Sequence, residues 1–380
     1  MSLQPYTSVQ IQAMRGLSGL TLEGCGGVNL LVGGNNSGKT TVLEALILLS
    51  DPTNIGIWEA ASELRRTWPL ADVRYSGGAT ERLDALEWLF PHSDAGIQTI
   101  ELSTTQRETR QRLRAEAERI YGDPPDHPLF TKDSVVEAFS VFKRDQEGNR
   151  IPAEEPGLEL RLTHGEEDKA FRMVLWERGS LRAPRQRNHA LSVAFATPIS
   201  HRSDGLLATR VSRIIHEDQM AAALTLIRGI DPLVQDLIMV QPERDDGPLP
   251  ARGSAATLHV RHARAGLVPV HVMGDGTRRA IHLASLLVDL PPGGVLLLDE
   301  LEVGMHTSVL HGVFRWLVTT CRERGVQLFV TTHSLEAIDT LIQAAPGDDV
   351  VLYRLEAGRV KRLAGDTLRT ARDLLGAEVR

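Results

Sequence analysis

The sequence predicts an α/β fold in which parallel strands carry the functional residues at their carboxyl ends. Three segments support this prediction. The apolar run Val28 to Val32 leads into a glycine loop and then into an apolar helix over about Thr40–Ser50. Two later apolar runs, from Gly294 and from Gln327, each end in polar or charged residues. Uninterrupted apolar strands are typical of parallel sheets covered on both faces, and ligands bind where such strands end.

Composition limits the classes of protein to be considered. The chain has 380 residues, 42% of them apolar and 4% aromatic, and a formal net charge of −7. It is long enough for two lobes with a mostly aliphatic core, and the charge argues against a surface that binds polyanions throughout. Cys25 and Cys321 have no metal-ligand spacing. Because we find no signal-peptide pattern and no apolar run near the roughly 18 residues of a membrane span, we expect a cytoplasmic protein without a membrane partner.

Apolar spacing predicts the remaining elements. The predicted strands are Ser8–Met14, Leu20–Glu23, Ile97–Leu102, Leu158–Thr163, Ala170–Trp176, Leu191–Ala196, Leu233–Val240, a hairpin within Leu258–Val272, and Val350–Leu355. The predicted helices are Ile55–Trp68, Thr80–Phe90, Gly205–Arg228, Ala280–Leu290 and a final helix near the carboxyl terminus. The segment Gln106–Ile120 is rich in Arg and Glu, which favours a solvated helix, with a short coiled-coil arm as the alternative.

The first glycine loop is predicted to bind the phosphates of a nucleoside triphosphate. It follows the pattern G-x-x-x-x-G-K-[ST] and consists of Gly33, Gly34, Asn35, Asn36, Ser37, Gly38, Lys39, Thr40 and Thr41. Its glycines allow the backbone to approach a phosphate closely. Lys39 is expected to contact the β- and γ-phosphates, and the Thr40 hydroxyl to bind Mg²⁺. The following helix directs its positive end at the anion.

Polar residues at the ends of the two later strands complete the predicted chemistry. Asp299 is expected to hold Mg²⁺ directly or through water, and Glu300 to orient or deprotonate the attacking water. A pair of acidic helix caps is the alternative for these carboxylates. His333 is expected to contact the γ-phosphate, although a histidine after a strand is also often purely structural. The sequence thus predicts that Lys39 and Asp299 act on one magnesium–nucleotide.

A second glycine loop, Met273–Arg279, precedes the helix over Ala280–Leu290. A glycine loop that opens a helix is another shape that binds anions. One nucleotide does not need two such loops. We therefore expect this loop to act on the nucleotide of a second subunit.

In this order the four motifs resemble the ABC-type ATPase heads of SMC-like and RecF-like proteins, and they are most similar to the OLD (overcoming lysogenization defect) family and its stand-alone ATPase relatives. The Asn35-Asn36 pair, Gly-Asp-Gly-x-x-Arg, the Gly-Met-His at 304–306 and Thr-Thr-His-Ser at 331–334 carry the resemblance, which covers nearly the whole chain. It implies a P-loop NTPase, a bilobed head with mixed β-sheets and a helical lobe, which binds ATP and Mg²⁺ and forms a homodimer around two ATP molecules.

The resemblance also implies roles for residues of the second loop. Gly274, Gly276 and Thr277 would face the partner's γ-phosphate, and Arg278 and Arg279 would stabilise that phosphate or brace the helix. His306 would touch the partner site. Two features depart from the family pattern, because Gly274 stands where a signature serine is common and no Q-loop glutamine can be assigned. OLD proteins often carry a Toprim nuclease after the ATPase, for which we find no room in this sequence.

On this basis we expect an ATPase switch that controls a separately encoded effector, a nuclease or Toprim-like protein, in DNA-linked or antiphage defence processes. The alternative is an ATP-dependent scaffold with little turnover.

A basic window from Arg178 to Arg202, with five arginines and no acidic residue, either contacts a nucleic-acid backbone or is an ordinary solvated edge. We expect four parts: a nucleotide-binding part at 1–103, an inserted helical and strand region at 104–202, a signature-loop lobe at 203–290, and the carboxylate and histidine strands at 291–380.

Overall fold

The structure is a computed structural model that describes residues 4–65, 80–93, 96–106, 109–122, 135–137, 139–140, 154–177, 179–180, 191–202, 206–241, 256–345, 349–356, 359–365, 367–368 and 370. Its chain divides into two compact units. Unit 1 comprises Met1–Cys25, Val32–Leu191 and Tyr353–Arg362, and unit 2 comprises Gly26–Leu31, Ser192–Leu352 and Leu363–Arg380. The four-part division that the sequence suggests stays a prediction.

Unit 1 contains most of the antiparallel strands and the helix that follows the first glycine loop. Its elements are β1 Tyr6–Met14, β2 Leu17–Glu23, the end of β3 Val28–Val32, α1 Lys39–Ser50, α2 Ile55–Glu63, α3 Thr80–Glu87, β4 His92–Ser93, β5 Gly96–Ile97, β6 Ile100–Gln106, β7 Thr109–Gly122, β8 Val135–Glu137, β9 Phe139–Ser140, β10 Glu155–Gly165, β11 Lys169–Trp176 and β12 Gly179–Ser180.

A seven-stranded sheet with the order β2-β1-β6-β7-β10-β11-β8 forms the base of unit 1. On β1 the buried residues Tyr6, Val9, Ile11 and Met14 face the core. The Tyr6 hydroxyl donates a hydrogen bond to the Leu46 carbonyl of α1, 3.0 Å away. Helix α1 is therefore fixed on the sheet by both apolar burial and a buried polar contact.

The helix predicted over Gln106–Ile120 is wrong, because this segment forms the long strand β7. It pairs antiparallel with β6 on one side and with β10 on the other. Leu113 and Ala115 are buried while the arginines beside them are exposed, which is the two-residue alternation of a half-buried strand. Opposite charges meet across strands, as at Glu116 and Arg161, instead of along a helix face. Among the described residues between 104 and 202, we find strands and one 3₁₀ turn at Ser200–Arg202 but no α-helix.

Unit 2 contains the parallel strands and the larger helices. Its elements are the start of β3, β13 Val193–Ala196, α4 Leu207–His216, α5 Met220–Ile230, β14 Val234–Val240, β15 Thr257–His262, β16 Gly266–Pro269, a 3₁₀ turn Val270–Val272, α6 Asp275–Asp289, β17 Val295–Leu298, α7 Thr307–Arg324, β18 Gln327–Thr331, α8 Leu335–Ala344 and the start of β19 Val350–Glu356. Strand β20 Arg359–Ala364 lies in unit 1 except for its last two residues.

In the sheet of unit 2, β13, β17, β18 and β3 lie side by side in that order and run parallel. All residues of β17 and β18 are buried, as their continuous apolar sequence predicts. The buried Asn29 of β3 donates to the Leu328 carbonyl at 3.1 Å and to the Gly26 carbonyl at 2.8 Å, which fixes the start of β3 beside β18. β3 ends at Val32, directly before Gly33.

Most other predicted elements of unit 2 are confirmed, with one change. The single helix predicted over Gly205–Arg228 is two helices, α4 and α5, separated at Asp218, whose φ of 54° ends the first helix. The hairpin predicted within Leu258–Val272 is present as β15 and β16. The predicted final helix lies largely outside the described residues. No helix of the described residues is both long and apolar enough to cross a membrane.

Candidate functional site

The first glycine loop lies in unit 1, between β3 and α1. Lys39 is the first residue of α1, and its side chain turns back over the loop. The Lys39 Nζ donates hydrogen bonds to the Gly33 carbonyl at 3.0 Å and the Gly34 carbonyl at 2.9 Å. Only 7% of Lys39 is exposed. The ammonium group is thus fixed inside the curve of the loop.

Two glycines of this loop are required by the backbone. Gly38 has a φ of +95°, and a Cβ there would lie 2.5 Å from Cδ2 of Leu17. Gly33 has a φ of +144°, and a Cβ there would collide with the Leu355 carbonyl oxygen. Residues that carry a side chain rarely adopt such φ angles. At each of these two positions, glycine is therefore favoured both by the backbone conformation and by the lack of space. The loop shape that the sequence predicts therefore depends on these two residues.

The loop has the donors that a triphosphate requires. Ser37 Oγ is buried and has no hydrogen-bond partner among the described residues. Gly34, Asn35 and Asn36 are exposed, so their part of the loop is open to a ligand. Helix α1 has no side-chain cap at Gly38 and no acidic residue in its first turn. Its first amide groups and its positive end therefore suit an anion, and the residues present fit a bound phosphate group.

A buried charge network in unit 1 was missed by the sequence reasoning. Glu44 on α1 is fully buried and accepts from Arg15 Nε at 2.6 Å and Arg65 Nε at 2.8 Å. Arg65 also donates to Thr41 Oγ1 at 2.7 Å. The network therefore fixes Arg15 and Arg65 to the first two turns of α1. The signal was Glu44 itself, because a carboxylate within the apolar run 42–49 needs a buried partner.

The predicted metal ligand Asp299 and the predicted catalytic residue Glu300 directly follow β17 in unit 2. Thr331, at the end of the adjacent strand β18, donates its hydroxyl to Asp299 Oδ1 at 2.5 Å. The same hydroxyl accepts from the backbone N–H of Glu300 at 2.8 Å. Asp299 is 9% exposed and Glu300 is half-buried. One side chain from the neighbouring strand thus positions both acidic residues.

Glu300 has an unusual backbone conformation. Its φ is 47°, in the left-handed region that residues other than glycine rarely occupy. The Glu300 carbonyl accepts from Arg279 Nη2 at 2.8 Å. The backbone therefore turns sharply after Asp299, and neighbouring side chains hold that turn.

His333 follows β18 and is half-buried. Its backbone N–H donates to Glu302 Oε1 at 3.1 Å, and the next residue, Ser334, caps α8 by accepting from the Ala337 N–H. Glu302 Oε2 is buried without a hydrogen-bond partner among the described residues. The backbone of His333 is thus fixed to the segment that follows Glu300.

The second glycine loop begins α6 in unit 2 and is fixed by Asp275. This carboxylate forms an ion pair with Arg202 at 3.0 Å and a hydrogen bond with His201 Nε2 at 2.8 Å. The hydrogen bond from Arg202 is the largest cause that lowers the pKa of Asp275 to about 2, while burial lowers the pKa of His201. The loop therefore has an ionised carboxylate and a fixed position.

The predicted ligands of this second loop differ in exposure. Gly274 is exposed and Gly276 is half-buried, whereas Thr277 is only 7% exposed. Arg278 makes one long hydrogen bond, 3.4 Å, to the His201 carbonyl. The segment after the carboxylates passes close to the loop, because a Cβ at Gly304 would lie 3.3 Å from Asp275 Oδ2.

His306 caps α7 and is exposed. Its Nδ1 accepts from the Ser308 N–H at 3.2 Å.

Of the basic window, Arg178, Arg182, Arg185 and Arg187 lie outside the described residues, and Arg202 is paired with Asp275. Among the described residues no group of three or more His, Cys, Asp or Glu side chains could hold a metal ion. Mg²⁺ usually keeps several waters and is held by one or two protein oxygens together with substrate phosphates, so it does not need such a cluster.

Comparison with known protein families shows which family this chain belongs to. Residues 28–339 match the family described as "AAA domain, putative AbiEii toxin, Type IV TA system". The chain belongs to this family. The matched region includes both glycine loops, the carboxylates and His333, which all lie between residues 28 and 339. The predicted fold class, an α/β P-loop NTPase of the ABC type with mixed sheets, is confirmed, and the chain is a member of an ATPase family.

Individual relatives were also found. MJECL11, a protein of Methanocaldococcus jannaschii described as uncharacterized, is 32% identical over 114 residues, which are 28% of this chain and 99% of that protein. The SMC head domain from Thermotoga maritima has a TM-score of 0.38 at 11% identity and covers 96% of this chain and 100% of its own. The recombination mediator RecF–ATPrS has a TM-score of 0.44 at 12% identity, with coverages of 96% and 100%. The family match, and not these likenesses, carries the assignment.

Proposed function

We propose that this AAA-family protein is an ATP-binding and ATP-hydrolysing switch that uses Mg²⁺. The observation that carries this proposal is the first glycine loop, in which Lys39 is folded onto the carbonyls of Gly33 and Gly34 beside the uncapped end of α1. Such a loop supplies backbone N–H groups, a cation and a helix end to a triphosphate.

The chemical roles follow from the residue types. Lys39 neutralises the β- and γ-phosphates, and Thr40 and Asp299 bind the metal ion. Glu300 orients or deprotonates the attacking water, and His333 contacts the γ-phosphate. Two hydrogen bonds of the Thr331 hydroxyl support these roles: it donates to the Asp299 carboxylate and accepts from the Glu300 backbone N–H. Catalytic groups work only when their positions are fixed.

Phosphate release from Mg-ATP tests the proposal. We expect wild type to release phosphate, Lys39→Ala to lose ATP binding, and Glu300→Gln to bind ATP without turning it over. Two exposed residues provide matched controls, Lys361→Ala for the lost cation and Glu323→Gln for the lost carboxylate. If wild type and Glu300→Gln are equally inactive while both assemble with ATP, the protein is instead the scaffold that was the alternative.

We further propose that ATP drives the formation of a homodimer in which the second glycine loop faces the partner's nucleotide. The exposure of Gly274 supports a role for the loop backbone, while the burial of Thr277 favours a role in holding the loop rather than a direct contact. Light scattering of Glu300→Gln with and without ATP tests this. A mass that doubles only with ATP supports the dimer, and an unchanged mass contradicts it.

The wider task is proposed from the OLD-like resemblance. In this proposed task, the switch acts in the cytoplasm and controls a separately encoded nuclease or Toprim-like effector in DNA-linked or antiphage processes. The family description favours a second candidate, a toxin of a toxin–antitoxin system. Induced expression separates the two. Growth arrest by wild type alone, lost in Lys39→Ala, supports the toxin, whereas protection from phage that needs a neighbouring gene supports the effector switch.

Nucleic acid is a proposed partner through the basic window at 178–202, on sequence grounds. Replacement of Arg182, Arg185 and Arg187 by alanine is expected to weaken duplex binding and to flatten its salt dependence. Unchanged affinity and slope would remove the window from the proposal.

A further inference from the structure

We propose that Arg279 is a positioning residue, whose guanidinium fixes the backbone of Glu300 and thereby the direction of the Glu300 carboxylate. This inference deepens the proposed function and rests on it, since it assigns a support to the residue that activates water. The family resemblance implies either of two roles for Arg278 and Arg279, contact with a phosphate or bracing of a helix.

The surroundings of Arg279 exclude a direct phosphate contact. The residue is 1% exposed, and it is among the largest fully buried side chains of the described residues. Nη1 donates to the Pro198 carbonyl at 2.8 Å, and Nη2 donates to the Glu300 carbonyl at 2.8 Å. Both terminal nitrogens of this guanidinium are therefore directed at backbone carbonyls and not at a ligand.

The charge of Arg279 is retained despite its burial. Burial lowers the pKa of Arg279 to about 10, and the nearby carboxylates of Glu302, Asp275, Glu300 and Asp299, in that order, oppose this shift. The side chain is therefore protonated at neutral pH. A buried cation is costly unless it is well paired, so this position has a specific need for a guanidinium.

The hydrogen bond from Arg279 reaches the backbone of Glu300, which has a strained conformation. Glu300 has a φ of 47°, which costs free energy in any residue but glycine. Its N–H is bound by Thr331 and its carbonyl by Arg279, so both backbone polar groups are held from two different elements. Loss of either support allows the peptide to rotate, and the carboxylate then moves away from the position it needs for water activation.

The test compares Arg279→Lys and Arg279→Gln with a matched arginine. Arg324 donates to the carbonyls of Val288 and Leu290 at the other end of α6, at 2.7 and 2.9 Å, and is not part of the proposed site. We expect the Arg279 variants to lower kcat by about 10- to 100-fold with ATP affinity within about twofold of wild type. Arg324→Gln is expected to change thermal stability but not kcat at a temperature where it is folded.

A double variant separates positioning from a general structural role. If Arg279 acts through Glu300, then Arg279→Lys adds nothing to the residual rate of Glu300→Gln. A further fall by the same factor as in wild type would overturn the proposal. So would Arg279 variants that are folded and as active as wild type.

A crystal structure of Arg279→Lys gives a readout that does not depend on activity. Lysine retains the charge and one donor, so this variant has the best chance of folding. We expect Glu300 to leave the left-handed region and its carboxylate to shift relative to Asp299. Retention of the wild-type φ and carboxylate position overturns the inference. If wild type hydrolyses no ATP, the proposed function fails, and this structure still decides the role of Arg279.

Discussion

Thr331 and Asp299 are joined by a hydrogen bond of 2.5 Å between the ends of two adjacent parallel strands. The same hydroxyl accepts from the Glu300 N–H. Because a threonine hydroxyl has one donor and can accept as well, it satisfies a carboxylate and an amide at once. The residue thereby couples the predicted metal ligand to the predicted catalytic base.

Replacement of Thr331 by valine tests this coupling. Valine keeps the branched shape but removes the hydroxyl that binds both the Asp299 carboxylate and the Glu300 N–H, so we expect a loss of about 1–3 kcal/mol in the free energy of unfolding. The Mg²⁺ concentration needed for half-maximal ATP hydrolysis should also change. Thr331→Ser, which keeps the hydroxyl, should stay close to wild type in both measurements. Equal behaviour of the two variants would contradict the coupling.

The two glycines Gly38 and Gly34 make a matched pair in the first loop. Gly38→Ala puts a Cβ at a φ of +95° and against Leu17, so we expect it to destabilise the protein by about 1–3 kcal/mol. Gly34 has no atom within 4 Å of its Cβ position, and alanine there should leave stability unchanged or raise it slightly. Denaturant unfolding measures both. Comparable losses in the two variants would show that the loop geometry is not the cause.

The buried charge network at Glu44 predicts that substitutions of its members lower the free energy of unfolding by different amounts. Glu44→Gln removes a fully buried charge and leaves Arg15 unpaired inside the protein, so we expect a loss of about 3–5 kcal/mol in unfolding free energy. Arg65 is 47% exposed, and Arg65→Gln should cost only about 0–1 kcal/mol, because Glu44 keeps its ion pair with Arg15 and an exposed guanidinium adds little. Urea unfolding of both variants measures this difference. Equal losses would contradict the asymmetric burial.

The ion pair between Asp275 and Arg202 predicts a pH dependence of stability. The pKa of Asp275 is lowered to about 2 in the folded protein, chiefly by the hydrogen bond from Arg202. A carboxylate with a lowered folded pKa adds stability above its unfolded pKa of about 3.9, and this stability is lost as the pH falls towards 2.

The melting temperature of wild type should therefore fall more steeply between pH 4 and 2 than that of Asp275→Asn. Arg202→Gln is the control, because it removes the largest cause of the shift and should reduce the slope as well. Parallel curves for wild type and Asp275→Asn would contradict the assignment of this carboxylate.

The sequence was sufficient for the features that depend on local pattern. The glycine loop and the buried strands β17 and β18 are contiguous motifs, so residue order alone predicts them. Strand β7 was predicted as a helix because charges at both two- and four-residue spacings occur in it, and only pairing with β6 and β10 decides between the two periods.

Side-chain contacts between residues that are far apart in the sequence could not be predicted from the sequence. Arg278 and Arg279 are adjacent and chemically identical. Yet Arg279 is 1% exposed and donates to the Glu300 carbonyl, while Arg278 donates to the His201 carbonyl at 3.4 Å. Arg202 was assigned to a basic window and instead pairs with Asp275, which lies 73 residues away. Neither partnership leaves a periodic signal in the sequence.

The most direct test of the central claim is calorimetric titration of Mg-ATP into Glu300→Gln, with the double variant Lys39→Ala/Glu300→Gln in parallel. The proposed ATPase requires that Glu300→Gln binds ATP while its turnover falls by about 10²- to 10⁴-fold, the usual contribution of a general base. It also requires that the double variant binds no ATP. Undiminished turnover in Glu300→Gln, or equal ATP binding with and without Lys39, would contradict the account.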